Sequence, residues 1–143
     1  MTTLEIIILF SGIFLSFTFL QLVDFFGIKL PLQLIIPGIS LVATLVYILL
    51  KVDGDFFYLS VGFLTTPILV FLLFHFFDWL SLLLHKETLR LHYRGATNRK
   101  HQVLYGITGK PYKITDTLFT FIITLAIMLW APLFASLCVH FVK

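Results

Sequence analysis

Charged residues are scarce in this 143-residue sequence: they make up 12% of the chain, whereas hydrophobic residues make up 59%. Soluble globular domains contain about 25% charged and roughly 45–50% apolar residues. A soluble domain of this size buries only about 70% of its surface, so water would stay in contact with much of its Leu, Ile, Val and Phe. The composition therefore excludes an ordinary soluble domain and predicts a chain solvated largely by lipid.

The sequence also has a single cysteine and lacks the motifs of common catalytic sites. The lone cysteine, Cys138, excludes an intrachain disulfide. The sequence contains neither G-x-S-x-G nor H-E-x-x-H. Lys110 is followed by Pro111, where a phosphate-binding loop requires Ser or Thr. We therefore predict a protein without enzymatic activity and without a cofactor.

Four apolar stretches are long enough to cross a bilayer: residues 4–23, 32–50, 56–84 and 118–142. Crossing about 30 Å of hydrocarbon takes roughly 20 residues of helix. Lipid offers the backbone no hydrogen-bond partner, so the spans must be helical. The sequence predicts an all-α polytopic membrane protein with four transmembrane helices in a single domain of residues 1–143. The short first and second links predict an up-down arrangement.

Lysine and arginine are concentrated on one side of the predicted topology, the side of the first and third links. The first link carries Lys29, and the third, residues 86–116, carries seven more of the ten basic residues. These seven define the basic segment: Lys86, Arg90, Arg94, Arg99, Lys100, Lys110 and Lys113. Because basic residues near helix ends stay in the cytoplasm, we expect this link to be cytoplasmic and both termini to lie outside, in a bacterial inner membrane.

Two kinds of partner suit the basic segment. Anionic lipid headgroups attract each juxtamembrane Lys or Arg by about 1 kcal/mol, and an acidic protein surface would attract them in the same way. Nucleic acid is disfavoured, because the segment contains no recognised nucleic-acid-binding motif. We expect partner subunits in a membrane complex, and a homo-oligomer stays an open alternative.

The third apolar stretch is longer than a bilayer requires. Residues 56–84 would form a helix of roughly 43 Å, and neither Gly nor Pro occurs between Ile68 and Arg94. We therefore expect an amphipathic cytoplasmic extension of this helix to about residue 94. His75, Asp78 and His85 would lie on its polar side, within about 120° of arc.

This polar side allows several interpretations. The simplest is a face turned towards solvent or a partner at the membrane surface. His75 and Asp78, spaced i and i+3, could instead bind a metal, or they could form a proton relay with His85. A haem held by two histidines would need His75 and His140, which the predicted topology places at opposite ends of the helices.

Small residues mark faces at which membrane helices can approach closely. Gly12 and Ser16 form one pair spaced by four residues, and Ala131 and Ala135 form another. Gly38 gives the second stretch a similar face. We expect these positions to pack helices together within the monomer, and contacts between subunits of an oligomer are the alternative.

Taken together, the sequence favours a small non-enzymatic membrane subunit that anchors, scaffolds or regulates a larger complex, such as a secretion, conjugation, respiratory or transport assembly. One alternative is an oligomeric transporter or proton conductor that uses His75 and Asp78. Another is a metal-dependent membrane enzyme that adds distant residues such as His92 or His101 to this pair.

The charge distribution predicts the sidedness of the chain. A tag inserted between Gly95 and Ala96 should be detected in the cytoplasm, and the same tag fused after Lys143 should be detected outside. Protease protection and compartment-specific enzyme fusions measure both positions. Detection of the two tags in one compartment would contradict the four-span topology.

Overall fold

The computed structural model describes residues 2–26, 29–50, 54–89 and 114–142. These residues form five helices: α1 (Thr3–Phe26), α2 (Leu30–Gln33), α3 (Ile35–Leu49), α4 (Phe57–His85) and α5 (Ile114–Val142). The single turn of α2 leads into α3, and residues 30–49 together make one span. Four stretches of helix are long and apolar enough to cross a membrane. The predicted all-α architecture with four membrane-spanning helices is therefore confirmed.

Two helix ends differ from the prediction. α4 ends at His85, so the expected amphipathic extension does not continue through residues 86–89, and residues 90–94 lie outside the described part of the chain. α5 is helical from Ile114, earlier than the expected start at residue 118. Thr115 and Asp116 consequently lie in the first turn of α5 and not in the preceding link.

The start of α1 is stabilised by a reciprocal capping arrangement. The Thr2 N–H donates to the Glu5 carboxylate (2.7 Å), and the Glu5 N–H donates to the Thr2 hydroxyl (3.3 Å). The Thr-x-x-Glu spacing satisfies two N–H groups that the helix itself leaves without acceptors. It also supplies a hydrogen-bond donor to the carboxylate of Glu5, the acidic residue of this first turn, which is buried.

The described residues belong to two compact units. The first comprises Met1–Phe71 and Leu125–Lys143, and the second comprises Leu72–Thr124. α4 and α5 each contribute residues to both units. The single domain expected from the length of the chain stays a prediction.

Within the first unit, α1 runs parallel to α4. Gly12 lies against Phe63. About two turns further along both helices, the ring of Phe19 packs edge-on against that of Phe71, with centroids 5.8 Å apart. Since contact positions increase along both helices together, the two point the same way. This is the arrangement that an intervening antiparallel helix produces.

α3 runs antiparallel to α4 in the same unit. Ser40 bonds to Leu64, whereas the later Tyr47 stacks on the earlier Phe57 with centroids 5.6 Å apart. All four spans contribute to one apolar cluster, whose buried members are Ile8, Tyr47, Val61, Phe63 and Ala131. α4 supplies two of these five and makes direct contacts with α1, α3 and α5, so it is the central helix of the first unit.

Pro67 interrupts the backbone hydrogen bonds of α4 at this centre. Because proline has no N–H, the Phe63 carbonyl loses its donor four residues on, and the ring crowds the neighbouring carbonyls. Other helices contact both nearby oxygens: the Ser40 hydroxyl donates to the Leu64 carbonyl, and Gly12 lies directly on the Phe63 carbonyl. The break in α4 is thus covered by α1 and α3.

The preceding carbonyl, that of Gly62, is covered from within α4 itself. It accepts from the hydroxyls of Thr65 (3.0 Å) and Thr66 (2.9 Å). The indole N–H of Trp130 donates in turn to the Thr65 hydroxyl (3.0 Å), which ties α5 to α4. Gly62 also faces Ala131 so closely that an added Cβ would lie 2.7 Å from the Ala131 Cα.

The small residues predicted to pack helices differ in their surroundings. Gly12 and Ala131 lie at close contacts with α4, and the buried Ser16 donates to the Gly12 carbonyl (2.7 Å). Ala135 is half-buried. Gly38 is exposed, and nothing lies within 4 Å of where its Cβ would be, so no described helix packs on it and its packing role stays a prediction. The spacing of small residues shows that they share one side of a helix, but it does not show whether that side faces a neighbouring helix.

Adding one methyl group at Gly12 or at Gly38 should have opposite effects on stability. In Gly12→Ala the Cβ would lie 2.9 Å from the Phe63 carbonyl carbon and closer still to its oxygen, so α1 and α4 must separate. We expect a loss of about 1–3 kcal/mol in the free energy of unfolding.

Gly38→Ala is the matched control, because its methyl group meets open space. Alanine favours helix over glycine by about 1 kcal/mol, so this variant should be neutral or slightly more stable. Unfolding in mixed detergent micelles measures both variants. Equal stability of Gly12→Ala and Gly38→Ala would contradict the close approach of α1 to α4.

Candidate functional site

The second unit contains most of the polar side of α4. Two of its side chains bond to the backbone that follows the helix. Asp78 Oδ1 accepts from the Leu89 N–H (2.9 Å), and the Ser81 hydroxyl donates to the Glu87 carbonyl (3.0 Å). Residues 86–89 therefore fold back along the helix that they leave, and Leu89 becomes buried. The two side chains replace helical hydrogen bonds that the reversed backbone can no longer make.

Lys86 is the point at which the chain reverses. Its φ of 56° is the only positive value of a non-glycine residue among the described residues. Its N–H still donates to the Leu82 carbonyl (2.9 Å), so the helix ends in a left-handed cap. This conformation costs an L residue roughly 1–2 kcal/mol. The hydrogen bonds of Asp78 and Ser81 to the following backbone help to stabilise it. This cap is the physical reason why the predicted continuation of the helix is wrong at residues 86–89.

The last residue of α4 is joined to the first turn of α5. His85 Nε2 and the Thr115 hydroxyl are 3.0 Å apart, and which of them donates depends on the imidazole tautomer. Nearby in the same unit, the rings of Phe77 and Phe119 are stacked with centroids 4.5 Å apart. One polar contact and one aromatic contact thus hold the end of α4 against the start of α5. These two helix ends flank the link that contains the basic segment.

Asp116, in the first turn of α5, has a fully buried side chain. A carboxylate in a first turn is favoured by the exposed N–H groups and partial positive charge of the helix N-terminus. The backbone carbonyl of Asp116 accepts from the Thr120 hydroxyl (2.7 Å). Hydropathy offers no sign that the side chain of Asp116 would be buried.

The three predicted metal or proton-relay candidates have different environments. Asp78 and His75 are half-buried and His85 is exposed. Asp78 is engaged with the Leu89 backbone and His85 with Thr115, so both have a structural use. Among residues 2–26, 29–50, 54–89 and 114–142, no three His, Cys, Asp or Glu side chains are grouped to hold a metal ion. His92 and His101 lie outside these ranges, and the metal and relay hypotheses stay predictions.

Of the basic segment, the described residues include only Lys86, whose side chain is exposed. The remaining six basic residues lie outside the described part of the chain: Arg90, Arg94, Arg99, Lys100, Lys110 and Lys113. Sequence reasoning missed the roles of Leu89 and Thr115. Neither residue type signals such a role, because both act through contacts that arise only when the chain reverses.

Comparison with known proteins yields no match: no family model, curated protein or solved structure resembles the chain.

Removing the Asp78 carboxylate should free the backbone of Leu89. In Asp78→Ala the Leu89 N–H loses a charge-assisted bond of about 1.5–3 kcal/mol. Amide hydrogen exchange at Leu89 should then accelerate by roughly 10- to 100-fold, while exchange in the Gly62–Thr66 region stays unchanged.

Asp78→Asn is the matched control, because its side-chain oxygen can still accept from the Leu89 N–H. We expect it to restore most of the protection. If Asp78→Ala exchanges at Leu89 as slowly as the unsubstituted protein does, Asp78 does not hold the reversal.

Proposed function

We propose that this chain is a non-enzymatic integral membrane subunit that anchors or organises a larger membrane assembly. Its helices would pack in the bilayer, and its basic segment would dock on an acidic partner surface next to the membrane. The observation that carries the proposal is the anchored reversal at Lys86, which uses the ionisable side of α4 to hold backbone.

The reversal supports docking because it determines where the rest of the basic segment, from Arg90 onwards, begins. Asp78 holds the Leu89 N–H, and Arg90 follows directly in the sequence. The contact between His85 and Thr115 holds the helix ends on both sides of the segment. A charged segment with fixed ends loses less conformational entropy on binding than a free tail does.

Exposed apolar faces also support an assembly role. Bulky apolar residues are exposed along α3 and α5, among them Val42, Leu49 and Leu133. Lipid can cover such faces, and so can the helices of another subunit. The described polar side chains of the first unit mostly bond to backbone, as Ser16, Thr44 and Thr66 do.

The orientation belongs to the same proposal. The excess of Lys and Arg in the first and third links favours a cytoplasmic basic segment and outside termini, in a bacterial inner membrane. Negative lipid headgroups on the cytoplasmic side would hold the segment near the surface until a partner binds.

The proposal predicts that the basic segment retains a protein partner. Arg94, Arg99 and Lys100 are each replaced by Gln in the full chain, which is then purified from cross-linked native membranes. Recovery of associated subunits should fall by roughly three- to a hundredfold, because each exposed ion pair contributes about 0.2–1 kcal/mol. Added salt should weaken the association of the unsubstituted protein.

Lys51→Gln combined with Lys143→Gln is the control, since both lysines lie on the other side in the predicted topology. This variant should retain its partners. Purification of the unsubstituted protein as a monomer with nothing attached would overturn the proposal.

A further inference from the structure

Pro132 interrupts the backbone of α5 on a face that no described helix covers. Because proline lacks an N–H, the Met128 carbonyl loses the donor four residues further along the helix. Met128 lies midway along α5, where the surrounding solvent is hydrocarbon. Met128 is 49% exposed, and Pro132 is exposed with it, so the interrupted turn faces away from the other described helices.

The same break in α4 is treated differently. Pro67 is fully buried, and the carbonyls of Phe63 and Leu64 are contacted by Gly12 and Ser40 of neighbouring helices. This chain therefore covers one proline break with a small residue and a hydroxyl from other helices. At Pro132, no described helix supplies either.

A second polar group lies on the same face of α5. Ser136 is one turn beyond Pro132, is exposed, and makes no hydrogen bond to any described residue. Other hydroxyls in these helices donate to the carbonyl four residues before them, as Ser16, Thr44 and Thr120 do. A hydroxyl without a partner in hydrocarbon is costly, so Ser136 offers a donor to an incoming acceptor.

We propose that the face of α5 formed by Met128, Leu129, Pro132, Leu133 and Ser136 binds a transmembrane helix of another subunit. The partner helix would present a hydroxyl or amide donor to the Met128 carbonyl and an acceptor to the Ser136 hydroxyl. These groups are about 12 Å apart along the helix, which is two turns. The inference rests on the proposed function, since it requires a partner subunit.

A second copy of this chain that contacts the face through its own α5 does not satisfy it. Copies in one membrane have the same orientation, so a two-fold contact along α5 would oppose Met128 to Met128 and Ser136 to Ser136. Two acceptors would then meet at Met128, and the only hydroxyl of this face would lie two turns away. Hydrogen-bond complementarity therefore favours a different protein.

Photo-cross-linking of the full chain in native membranes tests the contact. A photoreactive residue replaces Leu133 on the proposed face, or Phe14 on the exposed side of α1 as a control. Leu133 should yield an adduct with a transmembrane segment of another protein that contains Ser, Thr, Asn or Gln. Phe14 should yield mainly lipid adducts.

Two substitutions connect the adduct to the polar groups. Pro132→Ala restores the N–H for Met128, and Ser136→Ala removes the hydroxyl; each should lower the yield of the protein adduct by roughly three- to thirtyfold. Pro31→Ala is the control, because this exposed proline lies in the first turn of α2, where no N–H is needed. It should leave the yield unchanged.

Infrared spectroscopy reads the carbonyl directly. Methionine labelled with ¹³C at its carbonyl marks two peptide groups only, because the chain has two methionines, and subtraction of the Met128→Leu spectrum isolates Met128. In the protein separated from its partner, the amide I band of Met128 should lie at higher frequency than in Pro132→Ala. It should move to lower frequency when the partner is bound. Identical bands for the separated protein and for Pro132→Ala would overturn the inference.

The remaining outcomes separate this inference from the proposed function. Lipid adducts alone at Leu133, or adducts with a second copy, overturn the inference while partners retained by the basic segment leave the proposed function standing. An adduct whose yield is unaffected by both substitutions also overturns it. Absence of any partner, in cross-linking and in purification, overturns both.

Discussion

The need to satisfy backbone polar groups away from water governs the centre of the first unit. Pro67 takes a donor from the Phe63 carbonyl in the middle of a helix that lipid and protein surround. Gly12 and Ser40 then approach α4 at the disrupted turn, and Thr66 bonds to the carbonyl before it. The positions of α1 and α3 against α4 follow from this contact, because a bulkier residue at Gly12 would separate the helices.

The same constraint operates where α4 ends. Helix termini leave carbonyls and N–H groups without partners, and here side chains of the helix itself bond to the returning backbone at Glu87 and Leu89. Asp78 is consequently a structural acceptor, although its position in an amphipathic pattern is also typical of a relay or a ligand. At Pro132 the described residues supply no such cover, which is why we propose that a helix of another subunit binds that face of α5.

Much of the fold could be predicted because it depends on hydropathy, which every residue reports locally. The four spans, their helical state and their alternating directions follow from run length and short links. The end of α4 could not be predicted in this way. Lysine is not a residue that marks left-handed caps, and the bonds that hold Lys86 come from Asp78 and Ser81, which amphipathic spacing equally assigns to a continuing helix. Gly38 illustrates the same limit, since its spacing resembles that of Gly12 while its surroundings are open.

Composition and the order of apolar and basic stretches were enough to determine that the chain is an all-α membrane protein with four spans, since the free energy of transferring a segment into lipid is nearly a sum over its residues. The tertiary structure decided which polar residues hold backbone, which proline is covered and which glycine is a contact. These properties belong to pairs of residues that are distant in the chain. They depend on how the helices are rotated against one another, and no single segment contains that information.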